Sequence, residues 1–323
     1  MSSLFSTALR ILIALTVLGS IFSAHADVKP YTNVEKAKLL LDTYYGDPGI
    51  LRQVAKLLSP EVIAGSANSD GYVQAARLAM NGTYITGEEY QAGGLDLANK
   101  FLDRGISLNP KNQETYLLRS EIFGAQKDYS QQKVALEKAK LVGPQNSWLL
   151  FNYGDYCENT GDPLDYYYYS QVRTLGPGDS PRQRRMFVMA LTALARFKPA
   201  PGEPFELKQL AELASNERYP TDAWVFGNFA GEFLFHGMFD DAIIYSEKAI
   251  KIRTYGGARL ALAASLYAKA AKLTQENNIN EAQKFILRAR LLRFGRDDIL
   301  ARLERTGGEA ILPLLPTIEG LVK

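Results

Sequence analysis

The apolar positions of this chain recur at helical spacing, in segments that come in pairs. Over Gly93–Pro110, Ala98, Leu102, Gly105 and Ile106 fall on one face, and steps of three and four residues predict an amphipathic helix. Gln113–Asn146 continues the pattern, with Tyr116, Ser120, Phe123, Tyr129, Leu136 and Ala139 as packing positions. Ser147–Ser180 divides into SWLLFNYGDYCENTGD, a helix and its turn, and PLDYYYYSQVRTLGP, a second helix. Gly161 and Asp162 make the turn, and Pro163 opens the second helix, where a missing N–H costs nothing. Gly154 is small enough to let that paired helix approach. Ala223–Gly256 repeats the design with Trp224, Ala230 and Phe233, then GMFDDAIIYSEKAIKI over Gly237–Ile252. Gly257–Phe294 is another pair, lengthened at Asn277–Asn280, with Ala282 and Ala289 two turns apart.

The flanks are less regular. Thr32 or Asn33 caps a helix running to Tyr45, Gly46–Gly49 breaks it, and Ile50–Leu58 resumes. This pair is too short for a full unit and reads as an N-terminal cap. Ile63–Asp70 is a loop, Asp70 caps Gly71–Met80, and Asn81–Gln91 is an insert. Pro181–Pro220 keeps a first helix over Arg182–Arg196. A rigid stretch, Lys198–Pro204, then delays the second helix to Phe205–Ser215. Asp297–Arg305 is a capping helix, and Glu309–Lys323 an apolar tail broken by Pro313 and Pro316.

The pairs share a period. Pro110 and Pro144 are 34 residues apart, Pro144 and Pro177 are 33, and the last two each follow a glycine. A period near 34 with a closing proline resembles the tetratricopeptide repeat (TPR) family, here of the exported bacterial kind. The likeness covers most of Gly71–Phe294 and is sharpest in Gln113–Ser180 and Ala223–Gly256. It implies an all-α, right-handed superhelical α-solenoid of TPR helix-turn-helix units. Such solenoids manage a long chain without one large core, because each unit packs only on its neighbours. The domains expected are residues 1–26 as a signal peptide and 27–69 as an N-terminal helical cap and loop. Residues 70–296 form a solenoid of about six units, with 181–220 degenerate, and 297–323 a capping helix and tail.

The resemblance also implies where a partner sits. TPR proteins are seldom enzymes and bind extended segments on a concave face built by the first helix of each pair. Read onto this chain, that face carries Glu114, Leu117, Glu121 and Ala125; then Trp148, Phe151, Asp155, Glu158 and Asn159; then Trp224, Gly227, Gly231, Leu234 and Phe235. The partner-binding residues expected are Trp148, Phe151, Asp155, Glu158, Trp224 and Phe235. Chaperone-binding TPR domains hold a peptide carboxylate with Lys and Asn. This face offers carboxylates and aromatics instead, which suit a basic or apolar segment.

Charge and composition narrow the function classes. After Ala26 the balance is 36 Lys and Arg to 35 Asp and Glu, so nothing electrostatic points to nucleic acid. No Gly-rich loop follows a strand, so nucleotide binding is not expected. One cysteine and, beyond His25, one histidine leave no His/Cys metal cluster and no disulfide framework. No cofactor is expected. Cys157 reads as a buried thiol, with an intermolecular disulfide as the alternative, and a nucleophilic pair with His236 would need distant units to meet. Asp155 and Glu158, three apart, are the one carboxylate pair of glycosidase type, but no cleft or second pair accompanies them. Arg182, Arg184 and Arg185 form one basic patch, and Arg288, Arg290, Arg293, Arg296, Arg302 and Arg305 another. Solvated helix faces account for both; anionic polysaccharide or lipid headgroups are the alternative.

Tyr166–Tyr169 turn through about 300° of helix, so at least one or two of the four rings must face solvent or a partner. Together these features predict a non-enzymatic scaffold or adaptor of the bacterial envelope that recruits a protein partner. A polysaccharide-binding accessory of an export or envelope assembly system is the alternative. The N-terminus supplies the compartment. Arg10 is followed by an apolar run from Ile11 to Phe22, and Ala24-His25-Ala26 ends it in the A-x-A pattern of a cleavage site. The uncharged stretch is too short for the roughly 18–20 residues of a spanning helix. N-terminal sequencing of the protein from its native cell should therefore begin at Asp27, whereas an intact Met1 on membrane-bound protein would show an uncleaved anchor.

Overall fold

A computed structural model describes residues 32–44, 46–59, 62–63, 69–85, 89–197, 206–215 and 222–322. The expected signal peptide and the Lys198–Pro204 stretch lie outside these residues. The described chain is helical; its one extended feature is an isolated antiparallel bridge between Tyr84 and Tyr90. It divides into two compact units, one ending at Gln183 and the other beginning at Arg184. In each unit most helices pair with the next in sequence and stack on the following pair, the arrangement of an α-solenoid.

In the first unit the helices are α1 (Asn33–Asp42), α2 (Pro48–Leu57), α3 (Asp70–Thr83), α4 (Gly94–Leu108), α5 (Gln113–Ala125), α6 (Tyr129–Val142), α7 (Ser147–Thr160) and α8 (Asp165–Leu175). Five of these starts are set by side-chain caps. Thr32 and Glu35 form a reciprocal capping box at α1, and Asp47 accepts from Gly49 N with Pro48 in the first turn of α2. Asn112, Asp128 and Asn146 cap α5, α6 and α7 through backbone N–H groups two or three residues on. Each such bond satisfies a donor the helix cannot.

The caps also carry the repeat. Asn112 and Asn146 occupy equivalent places, each two residues after a proline. The Asn112 amide donates back to Ser69 Oγ at 2.6 Å and that of Asn146 to Gln113 Oε1 at 2.8 Å. Gln113 in turn donates to the carbonyls of Ala139 and Pro144. At these two starts the capping side chain is thus bonded to the start of the preceding first helix.

The N-terminal pair is more than a cap of loose turns. α1 and α2 pack on each other and on α3, around Ala37, Leu41, Val54 and Leu58. Arg77 of α3 meets Asp42 at 2.6 Å with both side chains buried. The insert after Met80 begins later than its sequence suggests. α3 continues through Thr83, and the Tyr84 and Tyr90 rings then meet edge to face at 5.5 Å.

The second unit contains the body of α9 (Pro181–Leu194), α10 (Leu207–Ser215), α11 (Asp222–Phe235), α12 (Phe239–Ile252), α13 (Gly256–Gln275), α14 (Ile279–Arg290), α15 (Arg296–Thr306), a 3₁₀ turn (Leu312–Leu314) and α16 (Leu315–Leu321). α11–α12 and α13–α14 are the regular pairs. The C-terminal segment does not simply continue the array: α15 packs on α15's two predecessors of the first-helix type, α13 and α11, and α16 packs on α13. Ile299, Leu303, Ile311, Leu314 and Ile318 bury the apolar face that the sequence shows there.

The pair α7–α8 shows how tightly two helices meet. A Cβ built on Gly154 would lie 2.5 Å from Cε1 and 2.7 Å from Cδ1 of Tyr169. That ring is fully buried, and its hydroxyl donates to Glu158 at 2.7 Å, so it cannot swing aside. Gly154→Ala sets a gain in helix propensity of about 1 kcal/mol against overpacking of about 1–3 kcal/mol. Because the ring is pinned, overpacking should win. Urea unfolding should show the variant less stable by about 1 kcal/mol or more; an unchanged or higher midpoint would mean the two helices can part.

Candidate functional site

The candidate site of the first unit lies along α5, α7 and the first turn of α9. Its centre is Trp148, buried at 3% exposure rather than open to a groove. The indole N–H donates to Glu121 Oε1 at 2.6 Å. Arg182 bonds both oxygens of the same carboxylate, and its guanidinium carbon sits 4.8 Å from the indole centroid. One carboxylate on α5 therefore gathers an indole from α7 and a guanidinium from α9. A charge-assisted, two-oxygen contact of this kind is stronger than a neutral hydrogen bond, and the cation over the indole adds to it. Next to it Asn152, fully buried, donates to Leu117 O at 3.1 Å and Ser120 Oγ at 2.9 Å. Successive first helices are thus joined by polar bonds as well as by packing.

The other α7 candidates do not share that face. Phe151 is buried against Tyr169 of α8, ring centroids 5.7 Å apart. Glu158 accepts the Tyr169 hydroxyl, and Asp155 lies 3.3 Å from the Gln132 amide of α6. The reason is angular. At about 100° per residue, Trp148, Phe151, Asp155 and Glu158 span a sector about 80° wide, and its edges are claimed by different neighbours. Glu114 carries its own cation, Lys38 of α1. The acidic residues of this face are therefore engaged within the fold.

Ionisation follows burial. Tyr169 is pushed far above the ordinary phenol range by burial, then by the charge of Glu158. Cys157 is buried, and its thiol is pushed up to about 11, again by burial first and by Asp162 next. A thiol that stays protonated at neutral pH is a poor nucleophile. Among the described residues no group of three His, Cys, Asp or Glu is placed to hold a metal ion, and no helix is long and apolar enough to cross a membrane.

The tyrosine run resolves into distinct roles. Tyr169 is core. Tyr168 stacks on Tyr153 at 5.1 Å and 15°, and Tyr153 donates to Glu137 at 2.9 Å. Tyr167 stands edge-on to Tyr168 at 5.4 Å, and Tyr166 and Tyr167 are 52% and 53% exposed. Leu164 and Leu175, on the same helix or at its start, are exposed as well.

In the second unit Trp224 is half-buried, with the Arg185 guanidinium 5.8 Å from its ring. Phe235 is partly buried. Its ring meets His236 edge-on at 4.9 Å, and its backbone is overlaid by Gly308, where any Cβ would collide with Phe235 O. Gly308 has a φ of +92°, a conformation L side chains rarely adopt, so glycine is required there twice over. The chain's own C-terminal segment covers the end of α11. The residues that sequence reading passed over are Arg182, Arg185 and Arg302. All looked like solvated charges, and each lies against a first helix instead.

Comparison with known protein families finds no match, and comparison with curated proteins finds none. Among solved structures the chain is similar to YrrB, described as a TPR protein with an unusual peptide-binding site. The identity is 20% and the TM-score 0.34, over 62% of this chain and 95% of that one.

Trp148→Ala removes a buried indole and should lower stability by about 3–5 kcal/mol. Trp148→Phe keeps most of the bulk and loses the bond to Glu121, with an expected cost of about 1–3 kcal/mol. Urea titrations of both variants check this; a Trp148→Ala protein as stable as the parent would place the indole in an open groove after all.

Proposed function

We propose that the chain is a non-enzymatic protein-binding scaffold of the bacterial envelope, and that it recruits its partner through the outer face of α8. The observation that carries this is the exposure of Tyr166 and Tyr167 on a rigid base. Tyr167 abuts Tyr168, Tyr168 stacks on Tyr153, and Tyr153 is bonded to Glu137. Large rings held in place before binding lose little entropy on binding, and tyrosine is enriched among the residues that dominate interface energies. Leu164, at the start of the same helix, is exposed as well. By contrast Trp148 and Phe151, expected from the sequence as anchors, are buried within the fold, and Phe235 is partly buried beside Gly308. The stacked helix pairs supply a stiff support for such a surface. The envelope assignment rests on the A-x-A pattern before Asp27.

The test is site-specific photocrosslinking in the native cell, with the reactive residue at position 166 or 167, followed by titration of the captured protein. Tyr166→Ser with Tyr167→Ser should leave the melting temperature unchanged, because the rings are half in solvent, and should weaken binding about tenfold or more, equivalent to about 1.4 kcal/mol. Unchanged affinity in the double variant, or binding only to a polysaccharide, overturns the proposal.

A further inference from the structure

The C-terminal ends of α12 and α14 lie side by side. Both helices pack on α13, and Arg288 of α14 bonds Glu247 of α12 at 2.5 Å. Glu247 is in the last two turns of α12 and Arg288 in the last turn of α14. The two ends carry similar strings, Lys251-Ile252-Arg253 and Arg290-Leu291-Leu292-Arg293. Arg288 and Arg296, of the basic patch read from the sequence, are engaged by Glu247 and Glu319. Lys251, Arg253, Arg290 and Arg293 are exposed, and among the described residues no acid pairs with them. The acids that follow in sequence, Asp297 and Asp298, open α15, where Asp298 accepts from Gly295 N.

Cations at a helix C-terminus complement its dipole, and a solvated face needs no other reason for them. The apolar residues among them are not explained that way. Leu287 and Leu291, one turn apart on the outer face of α14, are 54% and 78% exposed, and Ile252 is 49% exposed. Ala282, Ile286 and Ala289 already make the packed face of α14, so the fold does not call for two leucines opposite them. Arg293 has a φ of +59°, where glycine is usual and a side chain is carried at a backbone cost.

Exposed leucines set among arginines suit one kind of surface. At a bilayer interface apolar side chains enter the acyl boundary while Lys and Arg stay with the headgroups. An anionic polysaccharide would use the charge and leave the leucines in water. We propose that the paired C-terminal ends of α12 and α14 dock on anionic phospholipid headgroups, with Leu287 and Leu291 entering the bilayer interface. This surface belongs to the second unit and does not depend on the protein partner proposed for α8.

Vesicle flotation tests this with the chain from Asp27 on, because the apolar run 11–22 would bind lipid by itself. Vesicles of phosphatidylcholine mixed with phosphatidylglycerol are compared with vesicles of phosphatidylcholine alone. The parent should bind the mixed vesicles about tenfold or more tighter, and added salt should weaken that binding. One basic residue at an anionic surface contributes roughly fivefold. Arg290→Gln with Arg293→Gln should therefore lose about tenfold or more, and Lys251→Gln with Arg253→Gln a similar factor. Leu287→Ser with Leu291→Ser should weaken binding several-fold with the charge unchanged, which a purely ionic contact would not show. These side chains are exposed, so the melting temperatures should match the parent's; if the double leucine variant fails to fold, Leu291→Ser alone carries that arm. No binding by the parent, equal binding to both kinds of vesicle, or unchanged affinity in the folded arginine or leucine variants overturns the proposal. Binding to an anionic polysaccharide such as alginate, with none to vesicles, overturns it as well.

Discussion

The close crossing of each helix pair is the constraint on which the rest depends. No single amphipathic helix here can bury its face alone, and two do so only where a small residue on one admits a large residue from the other. Gly154 and Tyr169 show the limiting case, with the ring seated on the bare backbone of α7. Gly124 and Gln132 repeat it in α5–α6, where an added Cβ would lie 2.8 Å from the Gln132 amide. Once a pair is locked, its first helix has a fixed rotation. That rotation decides which side chains face the next pair, and so which polar groups meet between units.

The meeting at Glu121 follows from this. α5 and α7 are rotated so that a carboxylate and an indole converge, and Arg182 of the first unit brings its guanidinium to the same carboxylate. The same rotation turns Phe151 and Glu158 toward α8. A partially buried carboxylate would be expensive alone, but here it receives three polar bonds and becomes a link between successive first helices. The first unit therefore uses as structural ties residues that the sequence alone would assign to a partner. Its exposed tyrosines, Tyr166 and Tyr167, lie on the second helix of the α7–α8 pair.

Much of the fold was legible because the proline spacing and the three-four apolar rhythm are local properties. The pairs over Gln113–Ser180 and Ala223–Gly256 appear where that rhythm places them, and Cys157 is buried as its position on α7 implied. The candidate site was less legible, for two reasons. A helical sector 80° wide in the sequence is divided among three neighbours in the structure, so Trp148, Phe151, Asp155 and Glu158 share a side without sharing a contact. The arginines deceived in the opposite way. Arg182 sits in a basic run with Arg184 and Arg185, and Arg302 follows Asp298 by one helical turn, so both resemble solvated faces; what each packs against comes from a distant helix. A tryptophan one unit ahead of an arginine at the start of the next first helix was the available signal for Arg182. Nothing local marks Arg302.

The fate of Phe235 follows from α13. This 20-residue helix is apolar on nearly every side, with Ala261, Ala263, Ala264, Ala268, Ala270 and Ala271 all buried. A helix of that pattern needs cover all round. α12 and α14 supply it on two sides, and α11 on a third. The remaining side is the one an open groove would leave to a ligand, and here α15 and α16 fill it, with Gln275 bonded to Pro313 O and Thr317. The tight double-glycine turn at Gly307 and Gly308 then carries the chain across the end of α11, over Phe235. The alanines that let this cover approach closely are spread through Gly256–Gln275, and the residues that provide it begin only at Arg296. Coverage of the inner face of the second unit is thus a property of α13's composition, satisfied by the C-terminal segment, and it leaves Arg302 as the charged residue carried in with that cover.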